Sequence, residues 1–279
     1  MVASGPVTRP RTGPEAVEVD EVMQPSWRRG RALAGLVGHL AVRRLKSMHR
    51  LTLLGWAWPL ARQLVQLAVL VFLFSHVLKL GIPDYPLFVF SGLLVWNWFQ
   101  SALLAASSSF IADRHLVFSP RLPNSVLPLV AITVPLIDTL MALPILVIAL
   151  AVTGHLEPTI LLLVPLLGVL AVMIAGLALL LATANVFVRD VENVVAVGLL
   201  LVFYLTPVFY AEDSVPAHLR WFLRLNPMSA TVSATRAVTL GGTLPAAADV
   251  ATMLIGAGVA AALGVLVYRR FNLDLIDEL

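Results

Sequence analysis

The sequence contains no cysteine. That alone excludes a disulfide framework, a thiolate metal site and a cysteine nucleophile. Charge is scarce too: Asp, Glu, Lys and Arg make up 13% of the 279 residues, about half their share in a soluble domain. A Walker A loop, an HExxH, a GxSxG and any paired-carboxylate motif are also missing. Without a glycine-rich loop to cradle phosphates, nucleotide hydrolysis has no place on this chain. Any chemical energy must come from a partner. The net charge of +3 is too small to suggest a nucleic-acid partner, and no residue pattern suggests a metal site.

What is present is apolar: 59% of the residues are hydrophobic and the mean hydropathy is +0.91. Neither a water-soluble domain nor a disordered chain has that composition. Residues 1–26 are polar and contain prolines but no apolar signal-peptide core, and are expected to form a disordered cytoplasmic tail. Beyond residue 50 the charges thin into gaps. Leu51 to Leu78 holds 28 residues with one charge, and Tyr85 to Ala112 holds 28 with none. Leu122 to Gly154 holds 33 with one, and Pro158 to Val188 holds 31 with none. Asn193 to Ala211 and Val250 to Tyr268 give 19 each. A bilayer core about 30 Å thick needs about 20 helical residues. The expectation is an all-α integral membrane protein with six transmembrane helices over residues 51–270, followed by a cytoplasmic C-terminus at 271–279.

The positive residues orient it. With the N-terminus in the cytoplasm, fourteen Lys and Arg fall inside and four outside, leaving Arg62 within the first span. Both termini are then cytoplasmic.

Two segments depart from the simple pattern. Residues 27–50 read as an amphipathic helix lying in the interface. Leu33, Leu36, Val37, Leu40 and Met48 share one face and Arg31, Lys46 and Arg50 lie opposite, with Arg44 an exception on the apolar face. Residues 212–249 are too apolar for an ordinary loop and are broken by Pro216, Pro227, Gly241, Gly242 and Pro245. Two short re-entrant helices, shielded by protein, fit that composition.

Ionisable residues inside a membrane usually face protein or water. Asp138 and Arg62 therefore have two readings each. They either belong to a pathway or gate, or Asp138 is bonded to a neighbouring helix while Arg62 snorkels to the inner interface. The cluster Trp96-Asn97-Trp98-Phe99-Gln100 lies about 17–20 Å into the second span, far from the interfaces where Trp is usual. Aromatic faces beside amides suit sugar rings, which pair apolar C–H faces with hydroxyls. The other reading is helix–helix packing in a dimer. Phe203 and Tyr204, with Phe209 and Tyr210, form a second aromatic group for which packing is the simpler account.

Five short motifs recur in order. They are Leu54-Gly55 with Trp58 (Gln63 standing where a proline is usual), Pro123 to Leu129, Asn185 to Val191, Thr206 to Tyr210, and Leu225-Asn226-Pro227 with Arg236. On these residues the chain, from about residue 45 to 270, resembles the permease subunits of type-2 ABC exporters, in the branch exporting O-antigen, teichoic acid and galactan. The resemblance implies a homodimer in the bacterial cytoplasmic membrane. It implies two separate ATP-binding subunits on the cytoplasmic face, with ATP and Mg held there and no cofactor on this chain. It also implies a lipid-linked polysaccharide as substrate. Cytoplasmic segments from Asp113 to Ser125 and from Arg189 to Asn193 would transmit the partner's motion, making Arg114, Arg121, Arg189, Asp190 and Glu192 coupling residues. Rival readings are an ABC-2 exporter of a drug or small lipid, and a polytopic glycosyl- or acyltransferase. The enzyme reading lacks a His, Asp or Ser constellation at a membrane face.

Overall fold

The computed structural model describes residues 35–45, 57–77, 81–117 and 123–271, and these are helical or looped, with no strand among them. The tail at 1–26, the ends of the amphipathic segment, Leu54-Gly55, Arg121 and residues 272–279 lie outside the described residues. Helix α1 covers 35–45. Helix α2 is Trp58–Val71, prolonged by a wider-wound turn at Phe72–Val77. Helix α3 is Tyr85–Ser107, α4 Val126–Thr153 and α5 Leu163–Phe187. Helix α6 is Val191–Leu205, α7 Arg220–Leu225, α8 Pro227–Thr239 and α9 Ala247–Phe271.

Five of the expected spans are long and apolar enough to cross a bilayer: Trp58–His76, Tyr85–Ser107, Val126–Thr153, Pro158–Phe187 and Ala247–Phe271. The fifth in chain order differs. Helix α6 has 15 residues, about 22 Å at the α-helical rise, and stops at Thr206 because Pro207 follows. A proline disfavours the α conformation in the residue before it and cannot donate to a helical ladder. Thr206 is accordingly extended.

Helix α3 is the centre of the molecule. Sixteen of its 23 residues are buried, whereas Gln63 is the single buried residue of α2. Helices α5 and α9 cross at backbone contact. A Cβ added at Gly176 would overlap the Ala260–Ala261 backbone, and one at Gly264 would overlap Gly176. Small residues permit that approach, as is usual between membrane helices.

One end of the bundle gathers Phe110, Val117, Leu127, Ala182 and Val186, with Tyr268 against them. Helix α1 docks at this end through Ala41, Leu36, Val37 and Leu40, which pack on Val126 and Val130 of α4. Arg44, the exception on that apolar face, points into the protein and donates to Asp113 at 2.8 Å. The apolar stripe of α1 thus meets protein.

Segment 212–249 holds α7 and α8, which fold back against the bundle. Helix α8 buries Met228, Ala230, Val232, Ala234 and Val238 together with Ser229, Thr231, Thr235 and Thr239. Two of those four hydroxyls are satisfied inside the helix: Thr231 Oγ1 donates to the Pro227 carbonyl and Thr239 Oγ1 to that of Thr235. Short polar side chains bonded to their own backbone let a helix with little hydrophobicity sit among apolar neighbours.

Candidate functional site: a polar cleft between α2, α3 and α4

Three helices each contribute a polar stripe at helical spacing. Helix α2 supplies Trp58, Arg62, Gln63 and Gln66, α3 supplies Asn97, Gln100 and Ser101, and α4 supplies Asp138 and Thr139. They enclose a cleft of about 370 Å³, at the low end of small-molecule sites. Asn97 and Asp138 each lie twelve residues into their helices, about 18 Å from opposite ends, so the cleft reaches the middle of the bundle.

Its polarity is partly fixed. Trp96 Nε1 donates to Gln100 Oε1 at 2.9 Å, which leaves the Gln100 amide nitrogen as the available donor. Thr139 Oγ1 donates to the Pro135 carbonyl at 3.0 Å. Gln63 is 7% exposed and its Nε2 is buried without a hydrogen-bond partner. Arg62 is exposed and forms no ion pair among the described residues.

The residues singled out from sequence divide among several environments. Arg62, Asp138, Asn97 and Gln100 meet in the cleft. Trp96 is 0% exposed and packs against Phe99 and Phe203. Trp98 is buried on the other side of α3, directed at the Ile132 carbonyl. Phe203 continues into a ring cluster with Phe209 and the outward-facing Tyr204. Phe99 borders a second, largely apolar cleft of about 430 Å³ beside Met173, Val202 and Val259. The aromatic residue that does line the polar cleft, 48% exposed, is Trp58. It had drawn notice only as part of a motif. Gln63 enters the sequence reading only as a replacement for a proline, and Gln66 and Thr139 do not enter it, although Gln66 stands four residues from Arg62 and Thr139 next to Asp138.

The α5–α6 turn lies at the α1 end. Arg189, Asp190 and Glu192 are exposed there, and the buried Asn185 accepts the Glu192 backbone N–H at 3.1 Å. Asn185 thereby caps the start of α6 from the preceding helix, which sets the shape of the turn. Arg114 follows Asp113 at the same end and is itself partnered.

At the opposite end two of the sequence motifs are bonded to each other. Asn226 caps α8 by accepting the Met228 N–H at 3.0 Å, and its Nδ2 donates to Thr206 Oγ1 at 3.0 Å. Arg236 donates to the carbonyls of Pro207 and Val208, at 2.6 Å each, and to that of Phe88 at 3.2 Å. Its guanidinium carbon stands 3.4 Å from the centre of the Phe88 ring. Two carbonyls of the irregular stretch just past α6 are therefore satisfied by one side chain. Just beyond, burial raises the pKa of the half-buried Tyr210, so its hydroxyl remains a donor, directed to the Tyr204 carbonyl at 3.3 Å.

Among the described residues no cluster of His, Asp or Glu has the composition of a metal site.

The sequence profile described as ABC-2 type transporter matches residues 36–240. An O-antigen export system permease protein of Klebsiella pneumoniae is 32% identical over 203 residues, covering 72% of this chain and 78% of that protein. A second permease of that name, from Myxococcus xanthus, is 30% identical over 214 residues, 76% of this chain and 82% of its relative. The profile covers most of the chain, including the cleft, the capped α5–α6 turn and the Arg236 junction. The chain is a multi-pass membrane protein and belongs to the ABC-2 type transporter family.

Proposed function

We propose that this chain is the membrane-spanning subunit of an ATP-driven exporter that moves a lipid-linked polysaccharide, of the O-antigen, teichoic acid or galactan type, out of the bacterial cytoplasm. The observation that carries the reading is the similarity to O-antigen export permeases over about three quarters of the chain. The polar cleft supports it, because a glycan needs hydrogen-bonding groups along a path through hydrocarbon. Two copies form the unit, and separate subunits bind ATP and Mg.

The ATPases dock at the α1 end, where Arg43, Arg44, Arg189, Arg269 and Arg270 outnumber the acids Asp113, Asp190 and Glu192 among the described residues. The opposite end carries Asp84, Glu157, Glu212, Asp213 and Asp249 against Arg220, Arg224 and the half-buried Arg236. That asymmetry is the one expected with the α1 end and both termini in the cytoplasm. Arg114, Arg189, Asp190 and Glu192 then face the partner.

Deleting the chain from its host bacterium tests the reading. The expected result is loss of one surface glycan with accumulation of its lipid-linked precursor inside, reversed by the intact chain. An unchanged surface, with no precursor accumulating, would overturn it.

A further inference from the structure

We infer that the α2–α3–α4 cleft is a binding site for a single neutral sugar unit, stacked on Trp58 and held by the amides of Gln63, Asn97 and Gln100. The inference rests on the export reading above and adds to it where one unit of the glycan is gripped and by what chemistry.

The decisive feature is Gln63. Helix α2 is otherwise exposed or half-buried, and its single buried residue is this polar one, with an amide nitrogen that has no partner. A buried donor left unpaired is costly, and any apolar side chain would fit a helix packing against hydrocarbon and protein at lower cost. Five other buried polar atoms among the described residues also lack a partner, but of the six only Gln63 lines this cleft, where a ligand that enters and accepts a hydrogen bond would satisfy it. Gln100 offers a second donor because Trp96 occupies its oxygen. Trp96 is thus a positioning residue, setting which way the Gln100 amide points. Asn97 can donate and accept, and Asp138 supplies acceptor oxygens on the α4 wall.

Charge and shape select among ligands. Arg62 and Asp138 cancel formally, so the cleft has no net attraction for an anion. A purely apolar ligand would leave Gln63, Asn97 and Gln100 unpaired, which is the strongest form of rejection available to a polar site. Trp58 presents an apolar ring at the rim, and a sugar has an apolar C–H face edged by hydroxyls. The volume of about 370 Å³ suits one unit rather than a chain segment.

The test uses the permease with its partner ATPase in lipid nanodiscs, with methyl glycosides of glucose, galactose, mannose and rhamnose as probes. Methyl glucuronide serves as the charged control, and binding is read by saturation-transfer NMR. At least one neutral glycoside should receive transfer above empty nanodiscs, and more than the glucuronide does. Trp58→Leu and Gln63→Met should weaken that binding by about five- to ten-fold, as loss of one or two contacts implies. Trp221→Leu, at an exposed Trp outside the cleft, should leave it unchanged.

Gln63→Met should also keep or raise thermal stability, which a merely structural glutamine would not allow. The inference is overturned by absence of transfer to every neutral glycoside, by equal transfer to the glucuronide, or by binding that survives both cleft substitutions. It is also overturned if the Gln63→Met variant is destabilised. Export is scored separately in cells. Export that persists without glycoside binding removes the sugar site alone, whereas a host that exports normally without the chain removes the function.

Discussion

The Arg236 guanidinium donates through Nη2 to the main-chain carbonyl of Val208 at 2.6 Å, while a Cβ on Gly92 would stand 3.1 Å from that same nitrogen. One arginine thus joins the folded-back helix α8, the broken end of α6 and the central helix α3, and a glycine on α3 makes room for it.

Replacing Arg236 by Ala strands buried carbonyls at Phe88, Pro207 and Val208. Each is worth about 1–3 kcal/mol, so Arg236→Ala should unfold far below the native chain in detergent. Arg236→Lys keeps the charge but cannot reach three acceptors from a planar fork, and should fall between the two. A melting temperature for Arg236→Ala equal to the native one would remove this junction from the account.

Gly92→Ala should destabilise by about 1–3 kcal/mol, the usual effect of overpacking, because the added carbon meets Arg236 and the Val208 carbonyl within 3.2 Å. In the Arg236→Ala background the same substitution should lose part of its effect, the contact with the Val208 carbonyl remaining. Additive penalties in a double-mutant cycle would contradict the contact.

At the α5–α9 crossing, Gly176→Ala or Gly264→Ala drives a carbon into opposing backbone, where no side chain can yield. Both should fail to accumulate as folded protein. Gly258→Ala, on the same α9 but with nothing within 4 Å of its added carbon, should be silent by expression and thermal unfolding. Equal behaviour of all three would show that the helices do not approach so closely.

Much of this was legible in the sequence, and the failures have physical reasons. Charge-free runs found the long helices because each needs a full bilayer of apolar residues. Helix α6 ends before its charge-free run does, because Pro207 stops it and a proline leaves no mark on a count of charges. Arg44 looked misplaced on the apolar face of α1 because its partner Asp113 is 69 residues away, and no local pattern carries that. Arg236 reads from sequence as one charge of a connection, and its half-buried bonds to three carbonyls of distant segments are invisible there. In the aromatic cluster on α3, the indoles turned toward packing and the amides toward the cleft. Residue 98 lies well away from Gln100 and is directed at Ile132, whereas residue 96 lies one turn from Gln100 and bonds to it, but its indole packs on Phe99 and Phe203 rather than lining the cleft. On α2, Trp58, Arg62 and Gln66 share one face at four-residue spacing, but only Arg62 stands out by charge, its two neighbours being uncharged.

Arg189→Ala and Asp190→Ala should lower export while leaving membrane insertion and thermal stability within about 0.5 kcal/mol of native, as expected for exposed surface positions. Asn185→Leu acts on the same turn differently, since it leaves the Glu192 N–H uncapped and should cost about 1 kcal/mol. Parallel measurement of surface glycan and melting temperature separates the two. Native export in both surface variants would reduce the turn to a connection between helices.

The central claim is that this chain carries a lipid-linked glycan across the membrane at the expense of ATP hydrolysed by a partner. Inside-out vesicles containing the permease and its ATPase, given radiolabelled lipid-linked glycan, measure it most directly. The account predicts that label becomes protected from externally added glycosidase only with hydrolysable ATP and only when both proteins are present. Protection that appears without ATP, or with the ATPase alone, would contradict it.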